Sequence, residues 1–283
     1  MRGSDSMKKN DISKIIWLVV QIVTAFLFIV PLLWMIVSSF KVESEIFKDM
    51  TSIKSLILLN PTLDNYKEMY RKVPIFMYIM NSFIYISIIV VAGLFVNSLA
   101  GYALARLEFP FKKMILALII SLYIIPFETV LLPLFLVINK LGLVNTREAL
   151  YLPFIANVFN IFLFRQFFMN FPREIEEAAE IDGASPFQIF LRIILPSSKP
   201  IMATSIILTV VSHWGDFTWP LIATNDEGLR NVQLGIQSFF TAPPVHYGPI
   251  MAALVFTTLP MIIIFLLFQK YYVQGVTSSG VKG

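Results

Sequence analysis

Six stretches of this chain, roughly 15–38, 76–100, 114–138, 149–168, 201–223 and 248–269, are long runs of Ile, Leu, Val and Phe. Each has the length of about 20 mostly apolar residues that spanning a bilayer takes. In lipid, backbone polar groups must find partners within the segment, so such runs form helices. Only 14% of the 283 residues are charged and 57% are hydrophobic, where a soluble domain carries about 25% charged residues. Mean hydropathy is +0.76. The fold class expected is therefore an all-α polytopic membrane protein with six transmembrane helices. Pro31, Pro126, Pro133, Pro153, Pro220 and Pro260 fall inside these runs, which membrane helices tolerate better than soluble ones.

The opening Met1-Arg2-Gly3-Ser4-Asp5-Ser6 has the look of a vector-coded leader, leaving residues 7–283 as a single membrane domain. The first apolar run exceeds the 7–15 residues of a signal-peptide core and no A-x-A site follows it, so it is expected to stay as a helix. The absence of Cys excludes a disulfide framework, thiol catalysis and Cys-based metal sites. His213 and His246 lie far apart and no H-E-x-x-H occurs, so no metal site is expected.

Net charge is +4, a mild excess that fixes orientation in a membrane protein and does not point to nucleic acid. Six spans put both termini on one side. That side carries Lys8, Lys9, Lys14, Arg106, Lys112, Lys113, Arg165, Arg173, Arg192, Lys199, Lys270 and Lys282, twelve cations against nine on the other. By the positive-inside rule the termini are expected in the cytoplasm.

One passage breaks the apolar pattern: "EEAAEIDGASPFQIFLRIILP", residues 176–196. Pro172 fits a first helical position, and Glu174, Glu176 and Glu177 fall in a first turn, where the helix dipole favours anions. Ile175, Ala178 and Ala179 stand at i, i+3 and i+4. Gly183 suits a left-handed C-terminal cap. Ser185 can N-cap a second helix with Pro186 at its first position, ended by Pro196. The segment reads as two short helices outside the bilayer. A solvated loop explains its acids, but not small side chains on one side or a defined turn; those suit a docking knob.

Glu177-Ala178-Ala179, three residues, Gly183, nine residues, then Ile193-Ile194-Leu195-Pro196 match the signature E-A-A-x3-G-x9-I-x-L-P. The chain thereby resembles the permease subunits of binding-protein-dependent ABC importers, and is most similar to the carbohydrate branch with its maltose-type inner permeases. Further matching stretches are "TLDNYKEMY" (62–70), "NSLAGYALARLEFP" (97–110), "IPFETVLLPLF" (125–135), "LGLVNT" (141–146), "HWGDFTWPLI" (213–222) and "VQGVTSSGVKG" (273–283). Gly215, often Asn in the family, and Ser279, where the family has an extra Ala or Gly, depart from the pattern.

The resemblance implies that 172–190 forms coupling helices seated in a cleft of an ATPase subunit. Glu176, Glu177, Ala178, Ala179, Asp182, Gly183 and Ala184 make up the coupling site, with Glu177 gripping the cleft, Gly183 turning the chain and the alanines forming the contact face. The tail, through Gly275, Ser279, Gly280 and Lys282, is implied as a second ATPase contact. It also implies a bacterial or archaeal cell membrane, a second homologous permease, two ATPase subunits, and a binding protein docking on the 39–75 and 224–248 loops. No cofactor is expected on this chain, since ATP and Mg belong to the ATPases and no G-x-x-x-x-G-K-[ST] loop occurs here.

Ionisable residues within spans call for a functional hypothesis. Glu128 follows Pro126, and Asp216 sits between Trp214 and Trp219. A carboxylate with aromatic faces suits a sugar, making these four substrate-path candidates; interfacial anchoring of the Trp residues and a structural hydrogen bond from Asp216 are the plainer account. An ion- or proton-coupled secondary transporter using Glu128 and Asp216 is the alternative function. An intramembrane hydrolase lacks a site: Ser212, His213 and Asp216 cannot converge within one helix, and no G-x-S-x-G elbow occurs.

Overall fold

A computed structural model of the protein describes residues 3–48, 50, 52–241 and 243–280, and side chains from residue 13 to residue 269 among them. The described residues contain helices and no strand. In chain order these are α1 (Gly3–Ser39), α2 (Glu43–Ile46), α3 (Asp64–Lys72), α4 (Ile75–Arg106), α5 (Lys112–Ile124), α6 (Phe127–Lys140), α7 (Arg147–Tyr151) and α8 (Val158–Met169). There follow α9 (Arg173–Ile181), α10 (Pro186–Ile189), a π-helical stretch (Phe190–Ile194), α11 (Leu195–Ser197), α12 (Lys199–Trp214), α13 (Thr218–Ala223), α14 (Val232–Thr241) and α15 (Tyr247–Gly280).

Four uninterrupted or nearly uninterrupted stretches are long and apolar enough to cross a membrane: Ser13–Ser39, Ile75–Arg106, Arg147–Met169 and Tyr247–Gln269. Two more are bent pairs, Lys112–Ile124 with Phe127–Lys140 at 107° and Pro186–Ser197 with Lys199–Trp214 at 76°. The run 114–138, expected as one helix, is therefore broken. Pro126 is the cause: its ring disfavours helix at the preceding residue, and Ile125 is extended at ψ 121°.

The chain divides into two compact units, residues 1–74 with 238–258, and residues 75–237 with 259–283. In the first, polar groups tie loop to helix ends. The Glu43 carboxylate accepts from the backbone N–H groups of Tyr247 (2.8 Å) and Gly248 (2.7 Å), amides that open α15 and have no partner within it. The Asn65 amide donates to the carbonyls of Ser39 (2.9 Å) and Lys41 (2.7 Å), and buried Lys41 donates to the Ser55 carbonyl at 2.6 Å.

In the second unit α4 is the central post, with α8 packed along it. The approach is close because Gly101 lacks a side chain: a Cβ there meets Phe164 Cβ at 2.7 Å and the Arg165 nitrogen at 2.9 Å. Asn97, 1% exposed, binds the chain entering α8 from both sides, donating to the Ile155 carbonyl (3.0 Å) and accepting from the Asn157 N–H (2.8 Å). One apolar cluster gathers Tyr85, Ile138, Ala149, Leu150, Trp219 and Ala223. Another gathers Tyr102, Phe164, Phe168, Ile189, Phe190 and Ile194, and it is this one that holds the acidic segment.

Candidate functional site

The acidic segment is built from strong local signals. α9 ends in a Schellman motif: the Ala184 N–H returns to the Ala179 carbonyl and the Gly183 N–H to the Glu180 carbonyl, each at 2.9 Å. The motif needs a left-handed residue at its turn, and Gly183 supplies it at φ +84°. Two residues on, Ser185 and Gln188 form a capping box, with the Ser185 N–H donating to Gln188 Oε1 at 2.9 Å and the Gln188 N–H to Ser185 Oγ at 3.4 Å. Pro186 opens α10, where its missing N–H costs nothing.

Beneath this element lies a buried ion pair. Arg106, the last residue of α4, donates from Nε to Glu176 Oε1 at 2.6 Å, and its Nη2 donates to the Phe171 carbonyl at 2.5 Å. Tyr102 donates from its hydroxyl to Glu176 Oε2 at 3.2 Å. The two charged side chains are 8% and 10% exposed. Tyr102 also packs on Phe190 (5.4 Å between centroids) and on Phe168 (6.0 Å). The hinge between α9 and α10 is thus fixed from two sides, by ions under α9 and by rings under the π-helical stretch.

The expected coupling residues divide between the two sides of α9 and its turn. Glu176 is buried and faces inward, and Ala179 and Ala184, half-buried, pack against the aromatic cluster. The helical period explains it: 176 and 179 lie three apart on one side, while 177, 178, 181 and 182 face away. Glu177, Ala178, Asp182 and Gly183 are exposed, and Glu177 has no side-chain partner among the described residues. Ile181 is 87% exposed and Phe187 52%. Neither was expected at the site; an isoleucine between Glu180 and Asp182 was the signal for the first. Gly275, Ser279 and Gly280 lie in the last turns of α15, and Lys282 lies outside the described residues.

The four path candidates stand in different settings. Trp214 and Trp219 are 5% and 0% exposed, and the Trp219 indole donates to the Ala149 carbonyl at 2.8 Å. Both side chains are buried. The run 201–223 breaks after Trp214, and Asp216 sits in the break, its carboxylate accepting from the Trp219 N–H at 3.3 Å as α13 begins. Asn231 donates to the Asp216 carbonyl (2.6 Å) and Gln233 to the Trp214 carbonyl (3.0 Å), satisfying acceptors that the end of α12 leaves open. Glu128 is exposed in the first turn of α6.

Residues 97–278, which include this whole element, match the family described as binding-protein-dependent transport system inner membrane component. The chain belongs to this family. Its members are permease components, which removes the ion-coupled carrier and the hydrolase as readings. Among curated relatives, the probable ABC transporter permease protein YurM of Bacillus subtilis is 39% identical over 89% of this chain and 83% of its own. The arabinooligosaccharides transport system permease protein AraQ of Halalkalibacterium halodurans is 34% identical, covering 92% of this chain and 93% of its own. The trehalose/maltose transport system permease protein MalG of Thermococcus litoralis is 33% identical over 98% of this chain and its full length. A chain of the crystal structure of a bacterial ABC transporter that imports the acidic polysaccharide alginate has the same fold, with TM-score 0.83 at 22% identity over 93% of this permease and 98% of that chain.

Proposed function

We propose that this permease is one half of the translocation path of an ATP-driven, binding-protein-dependent saccharide importer. It pairs with a second permease, seats its 177–187 surface in one of two cytoplasmic ATPases, and receives sugar from an extracytoplasmic binding protein. The observation that carries the reading is an exposed Ile-Phe-acid surface on a rigidly anchored hinge. Burying an Ile or Phe contributes about 1.5–3 kcal/mol, whereas an exposed ion pair contributes about 0–1 kcal/mol. Ile181 and Phe187 therefore supply more of the docking energy than Glu177, which sets orientation. When the ATPases close, they move this hinge, and the ion pair passes the motion to α4. Both termini lie on the ATPase side in this arrangement. Sugar transport by the MalG and AraQ relatives supports the substrate class.

Uptake by the whole importer in vesicles tests the energy source. The expected result is uptake that stops without ATP and persists with an uncoupler at constant ATP. Loss of uptake with the uncoupler alone contradicts the proposal.

A further inference from the structure

Within the unit of residues 1–74 and 238–258, two spaces adjoin across one short piece of chain. The first is a cavity of about 320 Å³ lined by Lys41, Lys48, Lys54, Glu45, Ile57 and Leu59. Lys41 is 4% exposed, and its ammonium donates to the Ser55 carbonyl at 2.6 Å. Among the described residues none of the three lysines forms an ion pair, and Glu45 accepts from Asn60 Nδ2 at 3.2 Å. A buried charge is costly unless an opposite charge offsets it. Water can satisfy the spare N–H groups of an ammonium but brings no negative charge. The cavity therefore calls for an anion.

The neighbouring space narrows the choice of anion. It is a groove of about 350 Å³ between Phe26, Val30 and Trp34 of α1 and Met50, Ile53 and Leu56. Among the described residues no charged side chain lines it. The short 3-10 helix Ile53–Leu56 is the partition: Ser55 lines the groove, its carbonyl holds Lys41, and Lys54 lines the cavity. Phe26 lies at the middle of the span Ser13–Ser39, and Trp34 stands eight positions further on. Eight helical residues cover about 12 Å, close to the depth of one leaflet, about half of a hydrocarbon core of about 30 Å. Lys41 comes just after α1 ends at Ser39. From mid-span outward the order is apolar groove and then cations, which is the order of acyl chain and headgroup. A soluble anion leaves the groove empty, and a zwitterionic lipid brings a further cation to three lysines. Basic pockets beside membrane helices hold anionic headgroups.

We infer that the two spaces together hold one anionic phospholipid, its phosphate among Lys41, Lys48 and Lys54 and an acyl chain along α1. The import reading adds only the leaflet, the outer one; the lipid site does not otherwise depend on it.

The test uses the complete importer, purified in detergent and exchanged with an equimolar mixture of phosphatidylglycerol and phosphatidylcholine. Lipids that stay bound are counted by mass spectrometry. The expected result is retention of phosphatidylglycerol at least fivefold over phosphatidylcholine. Lys48→Glu with Lys54→Glu should retain one fewer phosphatidylglycerol per assembly, and so should Ile53→Asp in the groove. All three positions are exposed, so these variants keep the fold, checked by an unfolding midpoint without added lipid. Lys67→Glu, on the same loop but outside the cavity, should keep the wild-type count. Glycerophosphoglycerol, the headgroup without its chains, should displace the lipid at least tenfold less effectively than phosphatidylglycerol does. No preference in the wild type, an unchanged count in the double variant or in Ile53→Asp, an equal loss in Lys67→Glu, or equal displacement by the bare headgroup overturns the inference. A double variant that keeps its lipid but loses affinity for the binding protein overturns it too, and makes the cavity a protein-docking site. Transport is not part of this readout, so these outcomes leave the import reading standing, and uptake that needs no ATP contradicts that reading alone.

Discussion

The Arg106–Glu176 pair joins two residues 70 positions apart, and breaking it leaves one charge buried without its partner. Such losses cost about 3–5 kcal/mol. Glu176→Ala and Arg106→Ala should each lower the unfolding midpoint of the permease in detergent markedly, and the double substitution should fall short of the sum of the two. An additive double mutant, or single mutants as stable as wild type, contradicts the latch. Asp216 is a milder case. Asp216→Asn keeps an acceptor for the Trp219 N–H and should leave stability and uptake almost unchanged. Asp216→Ala removes the cap and should cost about 1 kcal/mol, read as a lower unfolding midpoint. A large loss of uptake in Asp216→Asn with stability intact instead makes the carboxylate functional.

At the scale of elements, what the sequence made legible was local chemistry. Gly183 as the left-handed turn, Ser185 as the cap and Pro186 as the helix opener depend on neighbours within a few residues, and all three stand where their residue types require. The facing of α9 was not legible, because it is decided by Arg106 and Tyr102, which reach Glu176 from 70 and 74 residues away in the chain. The breaks after Ile124 and Trp214 were half-legible. Pro126 and Gly215 were visible, but membrane helices often absorb such residues, and only the Asn231 and Gln233 side chains returning to the open carbonyls complete the second break. The hinge has its own test. Gly183→Ala forces a side chain into the left-handed region at a cost of roughly 1–2 kcal/mol. It should weaken ATPase association without touching the buried anchor, measured by co-purification beside an unfolding midpoint of the permease alone that falls less than in Glu176→Ala.

For the whole molecule, the proposed function puts coupling on one surface and that surface on the cytoplasmic side. The exposed residues divide into contributions that affinity can separate. Ile181→Asn should weaken ATPase binding about thirtyfold, corresponding to about 2 kcal/mol of lost burial, and Glu177→Gln only a few-fold, while Glu177→Lys also introduces charge repulsion and abolishes uptake. Equal effects of Ile181→Asn and Glu177→Gln contradict the apolar assignment. Orientation follows in intact cells, where a membrane-impermeant thiol reagent should reach Asn225→Cys and not Glu177→Cys. The most direct measurement of the central claim is crosslinking in the assembled importer, again from single cysteines. A short bifunctional maleimide, with a single cysteine placed in the ATPase cleft, should join Ile181→Cys to the ATPase and leave Asn225→Cys uncrosslinked. An ATPase adduct from position 225 with none from position 181 contradicts the account.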